Sequence, residues 1–221
     1  MEGIMDVEVD NFAGDIIINT TTHPEKCGIQ VLRRATQGTG YRSEGDASLD
    51  QIFINWEIVD RADRKALVIH STTKYELPWF QAADIEVTVP ELGVAIVRSS
   101  RGHVYVTQFQ DGVDIETTNG DVRVATNTPI RSPSTILNKD GSIDWRVPPR
   151  SAGSYQMESI NGEVQVRVRE GSWLATDTRN DMDSNYGVLN KGANLVILRT
   201  VGGDIQIYVG KTPLEMGTFI D

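Results

Sequence analysis

Basic residues are scarce in this chain. Twenty-one Lys and Arg stand against 31 Asp and Glu over 221 residues, for a formal net charge of −10. A nucleic-acid partner needs a basic face, so none is expected. Direct contact with an anionic membrane surface is disfavoured for the same reason, whereas a solvated acidic wall or a bound cation suits the balance. Cysteine is almost missing: Cys27 stands alone, so no intrachain disulfide can form and the redox compartment is left open. No apolar run approaches the ~20 residues of a membrane helix. The opening Met1-Glu2-Gly3-Ile4-Met5-Asp6 has neither the basic nor the apolar region of a signal peptide. The location is therefore expected to be cytoplasmic, or extracytoplasmic at the cell envelope if a leader has been removed. His23, His70 and His103 are far apart, and no pair has metal-ligand spacing. There is no Gly-x-Ser-x-Gly, no phosphate loop and no dinucleotide fingerprint. Cys27 has no assignable base and reads as a plain thiol.

What the chain does have is a phrase that returns. Val113-Asp114-Ile115-Glu116-Thr117-Thr118-Asn119-Gly120-Asp121-Val122-Arg123-Val124 is echoed by Tyr155 to Val166 and by Val196 to Ile207. Six copies align on Gly14, Gly102, Gly120, Gly141, Gly162 and Gly203, with the middle four 18, 21 and 21 residues apart. A fixed phrase with a period near twenty marks stacked repeats. The longer gap before Gly203 has room for one degenerate turn, for which Gly187 with Ser184 and Leu189 is a poor match.

Apolar residues fill four columns. Seven before the glycine stand Val7, Ala95, Val113, Ser134, Tyr155 and Val196; five before stand Val9, Val97, Ile115, Ile136, Met157 and Leu198. Two after stand Ile16, Val104, Val122, Ile143, Val164 and Ile205; four after stand Ile18, Val106, Val124, Trp145, Val166 and Ile207. A period of two on each side of the glycine means two short strands, each with one buried face. Asn119-Gly120, Asp140-Gly141 and Asn161-Gly162 are also hairpin signals, and separate hairpins in a sandwich are the competing reading. The regular period favours a solenoid. So does the column three before the glycine, always small and polar: Asn11, Ser99, Thr117, Asn138, Ser159 and Thr200. Stacked in successive coils, these side chains can form a hydrogen-bonded ladder. The expected fold is an all-β, single-stranded parallel β-solenoid, or β-helix, whose hand the pattern does not specify.

One domain is expected over residues 1–221. Residues 5–90 would be a strand-rich lead-in and cap, with strands at Ile52–Ile58, Leu67–Ile69 and Ile85–Val89, the last stopped by Pro90. Residues 28–34 are readable as helix or strand, and 35–48 as a loop. Residues 91–209 would be the coils, four of them from 92 to 170, each bonding the next, with an irregular insertion at 171–194. Residues 210–221 would be a C-terminal tail or a cap over the other end. Sheet edges and solenoid ends offer routes to a homo-oligomer.

The run Ala83-Asp84-Ile85-Glu86-Val87-Thr88-Val89-Pro90, followed by Ser99-Ser100-Arg101-Gly102-His103-Val104-Tyr105-Val106 and Thr117-Thr118-Asn119-Gly120-Asp121-Val122-Arg123-Val124, resembles the bacterial DUF4097 "putative adhesin" family. Residues 84–209 resemble it well, and 5–80 loosely. The resemblance implies a β-solenoid-like protein, often on the extracytoplasmic side of the envelope. It supplies no catalytic motif, so no functional residue is carried over.

Candidate chemistry is sparse. The residue after each glycine is Asp15, His103, Asp121, Ser142, Glu163 or Asp204, and stacked carboxylates one coil apart are oxygen ligands of the kind calcium takes. Solvated turns also favour Asp, and the calcium nonapeptide of β-rolls is missing. Asp177, Asp181 and Asp183 form a second oxygen-rich group without the EF-hand glycine and glutamate. Polysaccharide chemistry would need a close carboxylate pair; Asp111, Asp114, Asp121 and Asp144 are the candidates, with Arg123 or Arg146 for substrate charge. Tyr105, outward-facing, and Trp79 in a loop suit sugar stacking. No cofactor and no catalytic residue is assigned. The expected function is a non-catalytic binding or adhesion-like module that meets a protein or glycan through its lateral face. The alternatives are a polysaccharide-active enzyme, a self-assembling scaffold or an envelope-stress regulator.

Overall fold

Alternating β-branched and polar residues fold here as short strands in two facing sheets. The computed structural model describes residues 3–35, 45, 48–75, 78–176 and 182–215. In chain order the strands are β1 (Ile4–Asn11), β2 (Ile16–Thr20), β3 (Gly28–Ala35), β4 (Ile52–Asp60), β5 (Lys65–Thr73), β6 (Gln81–Val89), β7 (Glu91–Ser99), β8 (Val104–Thr107), β9 (Phe109–Asn119), β10 (Val122–Ala125), β11 (Ser134–Asp140), β12 (Ile143–Val147), β13 (Gly153–Ser159), β14 (Val164–Val168), β15 (Trp173–Ala175), β16 (Ser184–Leu189), β17 (Leu195–Thr200) and β18 (Ile205–Val209). Sheet A runs β4-β5-β1-β7-β9-β11-β17-β13-β16-β15, and sheet B runs β3-β6-β2-β8-β10-β12-β18-β14. Each repeat gives one strand to each sheet, and neighbouring repeats pair in parallel. This is the expected β-solenoid-like, all-β architecture.

The stacking order differs from the chain order. From one end the coils are 65–89, 4–20, 91–107, 109–125, 134–147, 195–209 and 153–168. The expectation that each coil from 92 to 170 bonds its successor fails at 153–168. There β13 pairs with β17, and the last coil of the chain is inserted between β11 and β13. The first coil is likewise inside the stack, between β5 and β7. Both terminal repeats are therefore covered above and below.

The remaining segments occupy the ends. Residues 28–35 are a strand: β3 pairs antiparallel with β6. β4 and β5, which contain the expected strands Ile52–Ile58 and Leu67–Ile69, form a hairpin. Within the expected insertion, β16 pairs antiparallel with β13 and with β15. Gly187 lies inside β16, where a Cβ would strike the Trp173 indole, so it is not a corner. Most of 35–48 lies outside the described residues.

Inside, the columns behave as the period of two requires. Val7, Val9, Ile16, Ile18, Val97, Val104, Val106, Ile115, Val122, Val124, Ile136, Ile143, Trp145, Met157, Leu198, Ile205 and Ile207 are all buried in one continuous cluster. Fully burying each such side chain contributes about 1.5–3 kcal/mol. The polar member of the columns, Ser134, accepts a hydrogen bond from the Val113 amide at 3.3 Å. At the far end Val164 and Val166 are only half-buried, as the last pair in the stack.

The corners explain the rest of the phrase. A Cβ built on any of the six glycines falls under 3.0 Å from the carbonyl of the neighbouring corner. Gly14 meets Ala83, Gly102 meets Gly14, Gly120 meets Gly102, Gly141 meets Gly120, Gly203 meets Gly141, and Gly162 meets Gly203. Five of the six also hold positive φ, from 115° at Gly102 to 147° at Gly203; only the close approach restricts Gly162. The seventh coil has Ala83 at its corner. The collision points one way along the column, and Ala83 ends it, so no corner lies beyond for its Cβ to meet.

The small polar residues serve those same carbonyls. Asn11 donates to Ala83 O at 2.9 Å, Asn138 to Gly120 O at 2.9 Å, Thr200 to Gly141 O at 2.8 Å and Ser159 to Gly203 O at 2.7 Å. The expected side chain–side chain ladder is limited to one rung, from Ser71 to Asn11. Two members depart from this: Ser99 donates to Arg101 O at 3.4 Å, and the buried Thr117 hydroxyl has no partner.

The residue after the glycine completes the corner. Its backbone N–H donates to the side chain of its counterpart one coil away: Asp15 to Asp84, His103 to Asp15, Asp121 to His103 Nδ1, Ser142 to Asp121, Asp204 to Ser142 Oγ and Glu163 to Asp204, all at 2.9–3.2 Å. Accepting through Nδ1 leaves the ring proton of neutral His103 on Nε2. This chain of bonds follows the stacking order, not the sequence order.

Three outcomes follow. Gly120→Ala combines a backbone collision with an unfavourable φ and should lower stability by at least ~2 kcal/mol. Gly28→Ala, where a Cβ meets nothing within 4 Å, should stay within about 0.5 kcal/mol; equal denaturant midpoints for the two would contradict the corner account. Asp121→Ala strands the Ser142 amide and should cost ~1 kcal/mol, while Asp121→Asn keeps the acceptor and most of the stability. In hydrogen exchange, the β1 and β17 amides should exchange as slowly as those of β9, although chain ends usually fray.

Candidate functional site

The structure scatters the carboxylates singled out in the sequence. Asp111 and Asp114 lie on β9 in sheet A. Asp111 bonds Arg64 Nη1 at 2.5 Å and Asp114 bonds Arg98 at 2.9 Å. Asp121 is at a corner, engaged with the Ser142 amide. Asp144 is on sheet B, buried, with Arg123 Nε at 3.0 Å and Arg146 Nε at 2.8 Å. No two of the four meet. Asp6, which the sequence reading did not single out, does approach Asp111, but Arg64 lies between them, 3.5 Å from Asp6. The hydrogen bond to Asp111 raises the Arg64 pKa above its ordinary value against the opposing desolvation. Each of these carboxylates is engaged by an arginine or a backbone amide.

Asp177 and Asp181 lie outside the described residues. Asp183 is exposed in a bend, where its carbonyl accepts the Ser159 amide at 2.7 Å. Among the described residues no three His, Cys, Asp or Glu are placed to hold a metal ion. His70 contacts Asp10 at 3.0 Å and His23 contacts Glu25 at 3.3 Å, far from each other and from His103.

The two outer faces differ. On sheet A, charges pair across adjacent strands, Arg98 with Asp114 and with Glu116 at 3.6 Å and Arg199 with Glu158 at 3.1 Å, and Arg61 in the β4–β5 turn pairs with Glu8 of β1 at 2.6 Å. Such exposed pairs add little stability, and they make a self-satisfied, solvated wall.

On sheet B the outward positions line up in two columns. Ile17, Tyr105, Arg123 and Asp144 stand three after their glycines; Asn19, Thr107, Ala125 and Arg146 stand five after. After β18 the described residues 210–215 turn back over this face. Gly210 N bonds Val147 O at 3.2 Å, and Arg146 bonds Glu215 O at 3.1 Å. Pro213 and Leu214 thereby wall a groove of about 330 Å³ lined by Ile17, Asn19, Tyr105, Thr107 and Arg123. The covering segment buries Asp144 and Arg146 on a face that the repeat leaves open elsewhere. Tyr105 was legible as outward-facing and Arg123 as a candidate for substrate charge; the wall at 213–214 lies beyond the last repeat and carries no signal of its own. Among the described residues no helix is long and apolar enough to cross a membrane.

This geometry can be set beside known proteins. No curated protein matches the sequence. Among solved structures, a "putative cell adhesion protein" from Clostridium sporogenes ATCC 15579 superposes with a TM-score of 0.57 at 11% identity, covering 93% of this chain and 92% of that one. A "putative adhesin" from Bacteroides fragilis NCTC 9343 gives a TM-score of 0.26 at 12% identity, covering 93% and 91%. The first likeness shows a shared fold. The Toastrack DUF4097 family matches residues 4–208, spanning all seven coils, and the chain belongs to that family.

Proposed function

We propose that this protein is a non-catalytic, adhesion-like binding module of a bacterial cell-envelope protein, and that it takes a glycan in the groove on sheet B. The observation that carries this reading is the Tyr105 ring beside Asn19, Thr107 and Arg123 in a walled groove. A sugar offers an apolar C–H face and a rim of hydroxyls. An aromatic ring flanked by amide, hydroxyl and guanidinium groups complements both. Rigidity supports the same use, because the groove is built on strands held in register on both sides. The adhesion name of the Clostridium sporogenes protein that shares the fold is consistent with it, and so is an envelope location.

A glycan array read with labelled protein, followed by calorimetry on the best ligand, tests this. Tyr105→Ala should weaken binding at least ten-fold, about 1.4 kcal/mol, without shifting the melting temperature by more than a few degrees. Glu116→Gln on the opposite face should bind normally. Binding indifferent to Tyr105→Ala removes the groove from the account. Release of new reducing ends from a bound polysaccharide, abolished by Asp144→Asn, would replace a binding module with an enzyme.

A further inference from the structure

The stack is closed differently at its two ends. At the end formed by the 153–168 coil, the edge of sheet A is β15, only three residues long. At the other end the edge of sheet A is β4, nine residues long and paired among the described residues only with β5, without a register break from Ile52 to Asp60. Sheet B ends there in β3, paired among the described residues only with β6. β4 reads Ile-Phe-Ile-Asn-Trp-Glu-Ile-Val-Asp. It contains no proline, lysine or glycine and no bulge, the usual devices that protect an edge. Its core-side face is apolar and part-exposed, with Trp56 61% and Ile58 41% exposed; on the outer face Phe53, 41% exposed with the Lys74 ammonium over its ring, and Val59, 37% exposed, flank Asn55 and Glu57. Ile54 and Trp56 look across an open mouth of about 530 Å³ at Ile29, Val31 and Arg33 of β3. The apolar interior of the solenoid therefore continues to a surface.

We propose that this end docks against the same end of a second copy, β4 on β4, as a closed two-fold dimer. The sequence of the strand selects this occupant. Antiparallel pairing about a two-fold axis through Trp56 opposes residues whose numbers sum to 112. Trp56 then faces its copy, Ile54 faces Ile58, Phe53 faces Val59, Asn55 faces Glu57 and, at the strand ends, Ile52 faces Asp60, so apolar residues meet on both faces at the centre and no like charges are opposed. An axis normal to the sheets keeps sheet A on sheet A and brings β3 beside its copy, so the two sheets and the core between them run through the interface. The area is adequate. Nine residues at about 3.3 Å each, across two sheets about 10 Å apart with their side chains, give ~600 Å² per copy. That is ~1,200 Å² in total, the lower bound for a stable association. The arrangement is isologous and closes on itself, so it ends at two copies and does not grow into a fibre. It is independent of the groove on sheet B, which lies on a lateral face, so either reading can fail alone.

Sedimentation velocity on the full chain from about 1 to 100 µM is the test. The expected result is a species of twice the chain mass, which Trp56→Glu converts to monomer with at least ten-fold weaker association and an unchanged circular dichroism spectrum. A second arm does not depend on tolerance of that change. In a Cys27→Ser background, Asn55→Cys mixed with Glu57→Cys should give a disulfide-linked dimer on mild oxidation. Neither variant alone should do so, because only positions 55 and 57 are directly opposed, at about 4.5–5.5 Å between Cα atoms. A wild-type chain that stays monomeric throughout, whatever other strand the edge accepts, overturns the proposal. So does a dimer that ignores Trp56→Glu and fails to cross-link in the mixture.

Discussion

The approach of one backbone corner to the next governs this molecule. Coils stacked at sheet spacing, about 4.8 Å, bring the carbonyl of each corner to the place where the next corner would carry its Cβ. Glycine alone fits such a site. Once it is there, the carbonyl is buried and needs a donor, which a short polar side chain three residues earlier supplies at Asn11, Asn138, Ser159 and Thr200. The next amide also needs an acceptor, found on the side chain that follows the glycine one coil away. Glycine, small polar residue and acceptor are thus one device repeated at each corner. The apolar columns supply most of the driving force, but they are tolerant of which coil lies next to which. The corner is the part that requires a partner of matching shape.

That distinction accounts for what could be read beforehand. The strands of the six glycine-marked copies, the buried columns and the corner glycines follow from periods of two and about twenty and were legible, whereas β3, β15 and β16, which lie outside the repeat, were not assigned as strands. The residue after the glycine had two readings, cation ligand or solvated turn; its actual duty, accepting a neighbour's amide, depends on contacts between coils that no single copy contains. The order of coils was not legible for a related reason. Copies with equivalent columns and corners are interchangeable in pattern, and nothing within Val196–Ile207 marks it for insertion between 134–147 and 153–168. The seventh coil was missed because its corner is Ala83, and because the path from Ser71 to that corner spans a connection four times longer than in other coils. Its end position makes alanine acceptable.

The surfaces divide by the same logic. Outward positions are free of corner and core duties. On sheet A they are taken up by ion pairs such as Arg98–Asp114 and Arg199–Glu158. On sheet B the returning segment at 210–215 covers part of the face and leaves Tyr105 at the edge of a walled groove. That wall comes from a non-repeating segment, and so does the apolar edge strand β4. The repeats build a rigid frame, and the segments that break the pattern shape the surfaces available to partners.

The central claim is that the last coil of the chain sits inside the stack, corner to corner with two earlier ones. Paired cysteines on the outer face of sheet A, in a Cys27→Ser chain, test it most directly. Gln156 and Ile197 are opposed across β13 and β17, and Thr135 and Ile197 across β11 and β17. Gln156→Cys with Ile197→Cys should therefore form an intrachain disulfide readily. Gln156→Cys with Thr135→Cys, two coils apart at about 9.6 Å, should not, since a disulfide needs Cα atoms within ~7 Å. A ready disulfide between positions 135 and 156, and none between 156 and 197, would mean that the coils stack in chain order and would contradict this account.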